Sequence, residues 1–525
     1  MAGLLARLTD WVSNNPTIVN FIHGNRWLHR TVNALAIDST VKHARPRPHP
    51  WTTIHDYTSW DALTQTRWSA RHLPPEPPRQ QRSAPSELAE FFRTEGEQAL
   101  SSKSTCLFPA FAQHLTDGFI RTRMPHGDEP VEVRLQNTSN HNIDLSPLYG
   151  RTMEQTTLLR LRSEDPGRKG RLRTQLIDEE EFAPFLYDAD GEFADPEFAK
   201  LDAPLGLHNV RDDPPRRSSL FAFGGDRANA APQVAAINTL FLREHNRLAG
   251  VLERDHPAWD DERVFQTARN VVIVLYIKLV VEEYINHISP ARVRFLADPK
   301  VAWKARWNRP NWITTEFSLL YRWHSLVPAT VRWGDVSYAT GETILNNQPL
   351  VAIGLTQACL DMSAQAAGEL GAFNTAPSLV PIEQQAIEQN RLARLPPYNR
   401  YREHVELRPA VRFEDISSNP RVVEFLRARY NSVEDVEFYV GLFAEDRKAN
   451  SPLPDLLTRM VAIDAFSQAL TNPLLSETVY KPATFADAGW QTIQTTATLA
   501  DVLARNVRGS VDGFVGMTQP DWEPV

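Results

Sequence analysis

The sequence predicts a mainly α-helical chain with very little β structure, and three observations lead there. From about residue 85 onward, apolar residues recur at helical spacing, as in 234–252, 261–288 and 382–391. Strand-like alternation of apolar and polar residues is sparse. Long irregular stretches, such as 183–217, connect the helical segments.

Taken in order, residues 1–50 form the first unit. Leu4, Leu8 and Trp11 fall at helical spacing, as do Leu28, Val32 and Leu35. Arg7, Arg26, Arg30, Lys42 and Arg45 make this part basic within an acidic chain. Basic amphipathic helices either lie on a membrane surface or pack on their own protein body, and both readings stand here. Two proline clusters follow, Arg45-Pro46-Arg47-Pro48-His49-Pro50 and Leu73-Pro74-Pro75-Glu76-Pro77-Pro78, and favour extended connections. The most apolar run, Val271 to Ile277, stops at Lys278 and soon meets Glu282 and Glu283, so it reads as a buried helix rather than a membrane span.

Composition narrows the function. With 525 residues the chain has room for several domains or one large enzyme domain. A net charge of −8 argues against a general nucleic-acid binder, which needs a basic face to neutralise phosphates. Cys106 and Cys359 are the only cysteines, so at most one disulfide can form, and a cytoplasmic, reducing setting is expected. The N-terminus lacks the long apolar core and cleavage site of a signal peptide.

One segment carries chemistry: Glu316-Phe317-Ser318-Leu319-Leu320-Tyr321-Arg322-Trp323-His324-Ser325-Leu326. If a helix runs through it, Tyr321 and His324 share a face and look into one volume. An imidazole there can bind a metal, and a neighbouring phenol can be oxidised to a radical. Alone, the same pattern is also ordinary core packing.

Other stretches stand in a telling order around it. Upstream come Asp144-Leu145-Ser146-Pro147-Leu148-Tyr149-Gly150 and Phe241-Leu242-Arg243-Glu244-His245-Asn246-Arg247-Leu248; then Glu282-Glu283-Tyr284-Ile285-Asn286-His287. Downstream follow Tyr398-Asn399-Arg400-Tyr401, Val436-Glu437-Phe438-Tyr439 and Tyr480-Lys481-Pro482. The ordered set resembles the animal-type haem peroxidase superfamily, and within it the cyclooxygenase and microbial fatty-acid (linoleate) dioxygenase branch.

The resemblance implies a large helical haem peroxidase domain over 51–525, holding non-covalent haem b. The matching positions for covalent haem links are Thr116 and Ala230, which cannot form them. It implies that His324 is the axial ligand of the haem iron, that Trp323 lies beside it, and that Tyr321 is the radical tyrosine. It implies a distal pair, Gln113 and Asp117, four residues apart on one helix face, with Arg227 from a Gly-Gly-Asp-Arg loop. His114 sits around the helix from that face. Aspartate stands where the family has histidine, so Asp117 is expected to be the weaker base unless burial raises its pKa. Arg243, Glu244 and His245 read as a paired structural cluster. Asn140, Asn142, Asp144 and Ser146 match a calcium loop, but Gly118 replaces one acidic ligand, which counts against calcium.

The implied function is oxygenation of an unsaturated fatty acid by O2 to a hydroperoxide through a tyrosyl radical. Arg30, Lys42 and Arg45 are the candidates for the substrate carboxylate. A hydrogen-peroxide-dependent peroxidase, or a non-catalytic peroxidase-like protein, are the alternatives.

Overall fold

The computed structural model describes residues 11–44, 60, 64, 66–77, 83–310 and 312–524. Leu4, Leu8, Arg45 and the proline cluster at 45–50 lie outside these residues. The protein is mainly helical. Among the described residues, the strands form three two-stranded antiparallel ladders, with isolated β-bridges elsewhere. The ladders join Leu100–Thr105 to Ala366–Gly368, Gln175–Ile177 to Glu180–Phe182, and Thr330–Trp333 to Val336–Ala339.

Two long helices form the centre. Pro232–Asp255 opens with proline, whose missing N–H costs nothing at that position, and is buried on nearly every side. Asp261–Leu279 is capped by Asp260, whose side chain accepts from the Arg263 N–H. This helix continues through a π-helical turn, Val280–Ile285, to Asn286–Ile288. By length and composition Asp261–Ile288 could cross a membrane, but 78% of its apolar window is buried inside the protein. It is a core helix.

The Arg243–Glu244–His245 cluster on the first helix is structural, as its charge pattern suggested. The fully buried Glu244 accepts from Arg247, Arg505 and Asn506. Arg243 pairs with Glu180, and His245 bridges the Tyr149 hydroxyl and the Gly170 carbonyl. Cys106 and Cys359 are free thiols, each pushed up to about 12 by burial.

The N-terminal helices, Pro16–Gly24 and Arg26–Val41, are capped by Asn15 and Asn25. Val19 and Ile22 pack with Val293 in a small cluster that Leu28 and Val32 join, while Ile37 and Val41 enter the main core. Asn33 bonds both backbone groups of Leu296, and Trp307 donates to Asp38. These polar ties set the rotation of the second helix. In consequence Leu35, expected on the inner stripe with Leu28 and Val32, points outward and is 67% exposed.

Candidate functional site

The chemistry-bearing segment begins as a helix and then breaks. Thr314 caps the Thr315–Leu320 helix by accepting from the Phe317 N–H at 3.0 Å. Tyr321 leaves helical geometry at φ −101, ψ 24, and a short 3₁₀ turn runs from His324 to Leu326. Tyr321 and His324 therefore do not share a helix face, contrary to the expectation from their spacing. The reason is aromatic packing. The Tyr321 and Trp323 rings stack at 4.7 Å and 25°, and residues two apart on a helix point to nearly opposite sides. Breaking the helix brings them together.

Trp323 also stacks on Phe108, which stacks on Tyr284; Tyr321 packs on Phe317, and Phe317 on Phe119. The result is a continuous aromatic slab holding the Tyr321 phenol. The Tyr321 hydroxyl is buried, as is that of Tyr284, contributed by the π-helical turn. The two phenols act on one another electrostatically without a hydrogen bond of regular geometry. Burial pushes the Tyr321 phenol above its ordinary pKa, with Tyr284 opposing and Asp464 adding to the rise. It therefore rests as a neutral phenol, the form that can give up a hydrogen atom and is regenerated when its radical takes one back.

His324 is half-buried. Its Nδ1 lies 3.0 Å from Glu383 Oε1, while Nε2 makes no hydrogen bond among the described residues. Its turn is held from the side. Gln98 donates to the carbonyls of Ser325 and Val327. Gly368 lies so close that a Cβ there would sit 2.1 Å from the Ser325 carbonyl oxygen.

The opposite group of residues stands on the Leu107–Asp117 helix, which carries both Gln113 and Asp117 as the spacing required. The helix ends at Gly118, whose carbonyl accepts from the hydroxyls of Ser139 and Ser146. Asp117 is buried, and its Oδ2 has no partner among the described residues. Burial pushes its carboxyl up to about 7, against the pull of Arg227, with Asp226 reinforcing the rise. Gln113 is half-buried on the same helix. His114 faces the core instead: it bonds Tyr276 at 2.9 Å and Asn238 at 3.1 Å, and burial lowers it to about 4.

Arg227 sits on a loop pressed against the Ser146–Tyr149 helix. A Cβ at Gly224 would fall 2.2 Å from the Gly150 nitrogen, so only glycine allows that approach. Arg227 donates to the Ile120 carbonyl at 2.6 Å and lies within electrostatic reach of Asp117 and Arg322. Arg322 is lowered by burial and by the charges of Arg227 and Arg134. Arg134 has a buried Nε without a partner among the described residues. Arg227 and Arg134 both repel Arg322, while Glu388 lies 3.7 Å from Arg134 and Glu383 faces Arg322; such a basic cluster can receive an anionic group.

These features suit a haem group. His324 presents a ring nitrogen fixed by its Glu383 contact, the Arg134, Arg227 and Arg322 cluster can receive carboxylates, and Asp117 Oδ2 has no hydrogen-bond partner among the described residues. The calcium-like loop is knit to itself. Asp144 accepts from the Ser146 N–H and from the Asn140 side chain, and Asn140 accepts from the Asn142 N–H. Among the described residues no cluster of three or more His, Cys, Asp or Glu could hold a metal ion.

The basic candidates of the N-terminal helices lie at the surface. Arg30 is 3.6 Å from Asp298, and Lys42 is 3.4 Å from Glu406; Arg45 falls outside the described residues. Sequence reasoning missed Glu383. The available signal was an acid at the apolar spacing of Val380, Glu383, Ile387 and Asn390, all buried on the Val380–Leu392 helix.

Comparison with known proteins agrees with this architecture. The profile of the family described as Animal haem peroxidase matches residues 108–513. Prostaglandin G/H synthase 1 of Oryctolagus cuniculus is 29% identical over 523 residues, covering 94% of this chain and 81% of that protein. Two solved structures share the fold at low identity. Fatty acid alpha-dioxygenase of Oryza sativa superposes with a TM-score of 0.66 at 18% identity, over 94% of this chain and 96% of the other. Peroxidase A of Dictyostelium discoideum gives 0.66 at 20%, over 84% and 92%. The chain belongs to the animal haem peroxidase family.

Proposed function

We propose that the protein is a haem-dependent fatty-acid dioxygenase that converts an unsaturated fatty acid and O2 to a hydroperoxide. The observation that carries this reading is Tyr321: a neutral phenol, its hydroxyl buried in an aromatic slab, three residues before His324. A plain peroxidase needs no such group. The prostaglandin synthase and alpha-dioxygenase relatives support the fatty-acid substrate class.

Haem b, when bound, would supply the oxidising equivalent that removes one electron from Tyr321 as its hydroxyl proton leaves, giving the neutral tyrosyl radical. His324 would hold the iron through Nε2, with Trp323 packed beside it, and Arg134, Arg227 and Arg322 would hold the propionates. Asp117, helped by Gln113 and Arg227, would take the proton of an incoming hydroperoxide and return it to the leaving oxygen. The Tyr321 radical then takes a bis-allylic hydrogen atom. O2 adds to the carbon radical, and the peroxyl radical takes the hydrogen atom back from Tyr321. The net change is one fatty acid plus one O2 giving one hydroperoxide, with the radical restored.

Residues 1–50 would serve as a substrate-access and membrane-docking element on a catalytic domain of 51–525. Trp11, Phe21, Trp27 and Leu35 all project outward from it, as a peripheral, cytoplasmic membrane contact requires. A hydrogen-peroxide-dependent peroxidase is the second reading, favoured by Asp117: a carboxyl at about 7 is matched to acid–base work at neutral pH.

Aerobic incubation of haem-loaded protein with a panel of fatty acids, followed by mass spectrometry, separates the two. Oxygen uptake with a product 32 mass units heavier (about two oxygen atoms) is expected from polyunsaturated acids. Rapid turnover of hydrogen peroxide with a phenolic reductant, and no fatty-acid product, would favour the second.

A further inference from the structure

Behind His324 lies a carboxylate to which the reaction assigns no role. Glu383 is 1% exposed, yet three hydrogen-bond donors converge on it. His324 Nδ1 lies 3.0 Å from Oε1, the Thr375 hydroxyl donates to the same oxygen at 3.1 Å, and the Tyr439 hydroxyl donates to Oε2 in a short contact. Both donors beyond His324 are themselves fixed. Thr375 is buried, with its N–H on the Phe92 carbonyl, and Tyr439 packs between Phe92 and Phe443. Glu383 stands in the first turn of its helix, where a negative charge is favoured.

Burying a carboxylate costs several kcal/mol unless its partners compensate, by order-of-magnitude reckoning. Three donors and the nearby Arg322 charge offset that cost here, and one of the three is the His324 imidazole. The Glu383 contact keeps the imidazole proton on Nδ1 and leaves the Nε2 lone pair outward. A carboxylate also pulls on that proton, which makes the ring a stronger electron donor than a ring bonded to an amide or a carbonyl.

We infer that Glu383 is a positioning residue that sets the donor strength of His324 toward haem iron, and that Tyr439 moderates it by sharing the carboxylate's charge. The inference rests on the reading of His324 as the axial ligand. Strong donation stabilises ferric over ferrous iron and stiffens the iron–histidine bond. Glu383 and Tyr439 thus act in opposite senses on one bond.

The test uses haem-loaded full-length protein, with resonance Raman of the ferrous form and a spectroelectrochemical titration. Glu383→Gln should lower the iron–histidine stretching frequency, move the ferric/ferrous midpoint upward, and raise haem dissociation by about tenfold or more. Tyr439→Phe frees charge for His324, so the frequency should rise and the midpoint fall. A merely structural role would shift both variants the same way. Frequency and midpoint unchanged in Glu383→Gln, or displaced alike in both variants, would overturn the inference. His324→Ala separates this from the underlying reading: if it keeps the wild-type haem spectrum, the ligand assignment itself has failed.

Discussion

The rings of Tyr321 and Trp323 stack face to face with centroids 4.7 Å apart, although only one residue separates them. That contact ends the Thr315–Leu320 helix and turns the backbone so that His324 enters a 3₁₀ turn against Gln98, Ser325 and Gly368. One packing choice thereby sets both the phenol and the imidazole. The Leu107–Asp117 helix takes part from two sides, with Phe108 in the aromatic slab and Asp117 near the arginine cluster.

Tyr321→Phe removes one oxygen and leaves the stack intact. Haem should bind with the wild-type Soret band, while oxygen uptake with a polyunsaturated acid should fall to background. Normal uptake by this variant would mean that hydrogen abstraction runs through another residue.

Gly368→Ala tests the support of the proximal turn. The added Cβ meets the Ser325 carbonyl at 2.1 Å, and overpacking of this kind costs about 1–3 kcal/mol. The melting temperature should drop, and haem affinity should fall with it, because the displaced strand residue presses on the turn that carries His324. Calorimetry and haem titration read the two effects; unchanged haem affinity would show that the turn is held without this contact.

Much of the site was legible in the sequence, because it depends on residue type at fixed spacing. The Gln113–Asp117 pair comes from the family resemblance, and helical spacing sets His114 off its face; the structure puts all three on the Leu107–Asp117 helix, with His114 turned to Tyr276 and Asn238. What periodicity could not give is where a helix stops. Tyr321 and His324 look like one helix face until the Tyr321–Trp323 stack is known, and that is a tertiary preference. Leu35 misled for a similar reason: Asn33, tied to Leu296, outweighs a leucine in setting the helix rotation. Glu383 was hidden because an acid in a helix first turn usually signals a favourable helix end and nothing more.

The N-terminal basic residues are predicted to meet the substrate carboxylate. Arg30 and Lys42 now pair with surface acids, and such exposed pairs contribute about 1 kcal/mol or less, so a fatty-acid carboxylate can replace them. Replacing the right residue among Arg30, Lys42 and Arg45 by Ala should raise KM by roughly fivefold and leave kcat unchanged. Methyl esters that bind as well as free acids would rule out a carboxylate contact altogether.

The sharpest prediction concerns Asp117 and pH. Its carboxyl stands at about 7 against an ordinary value of 3.8, chiefly because it is buried. The folded state therefore holds this proton more tightly than the unfolded chain. Its contribution to stability is complete below 3.8 and is lost as pH rises through about 7. Catalysis runs the other way, because only the ionised form can take a proton from a hydroperoxide. Peroxide cleavage should rise roughly tenfold between pH 6 and 8, following the ionised fraction. Asp117→Asn should be slow at every pH, with that rise gone and with greater stability at pH 8 relative to wild type than at pH 4. At pH 6 the wild type should also show a lag in fatty-acid oxygenation, shortened by a trace of added hydroperoxide. Asp117→His should shorten the lag, since at that pH a larger fraction of an imidazole than of this carboxyl is in the proton-accepting form. A pH-rate profile that is identical in wild type and Asp117→Asn would remove Asp117 from the reaction.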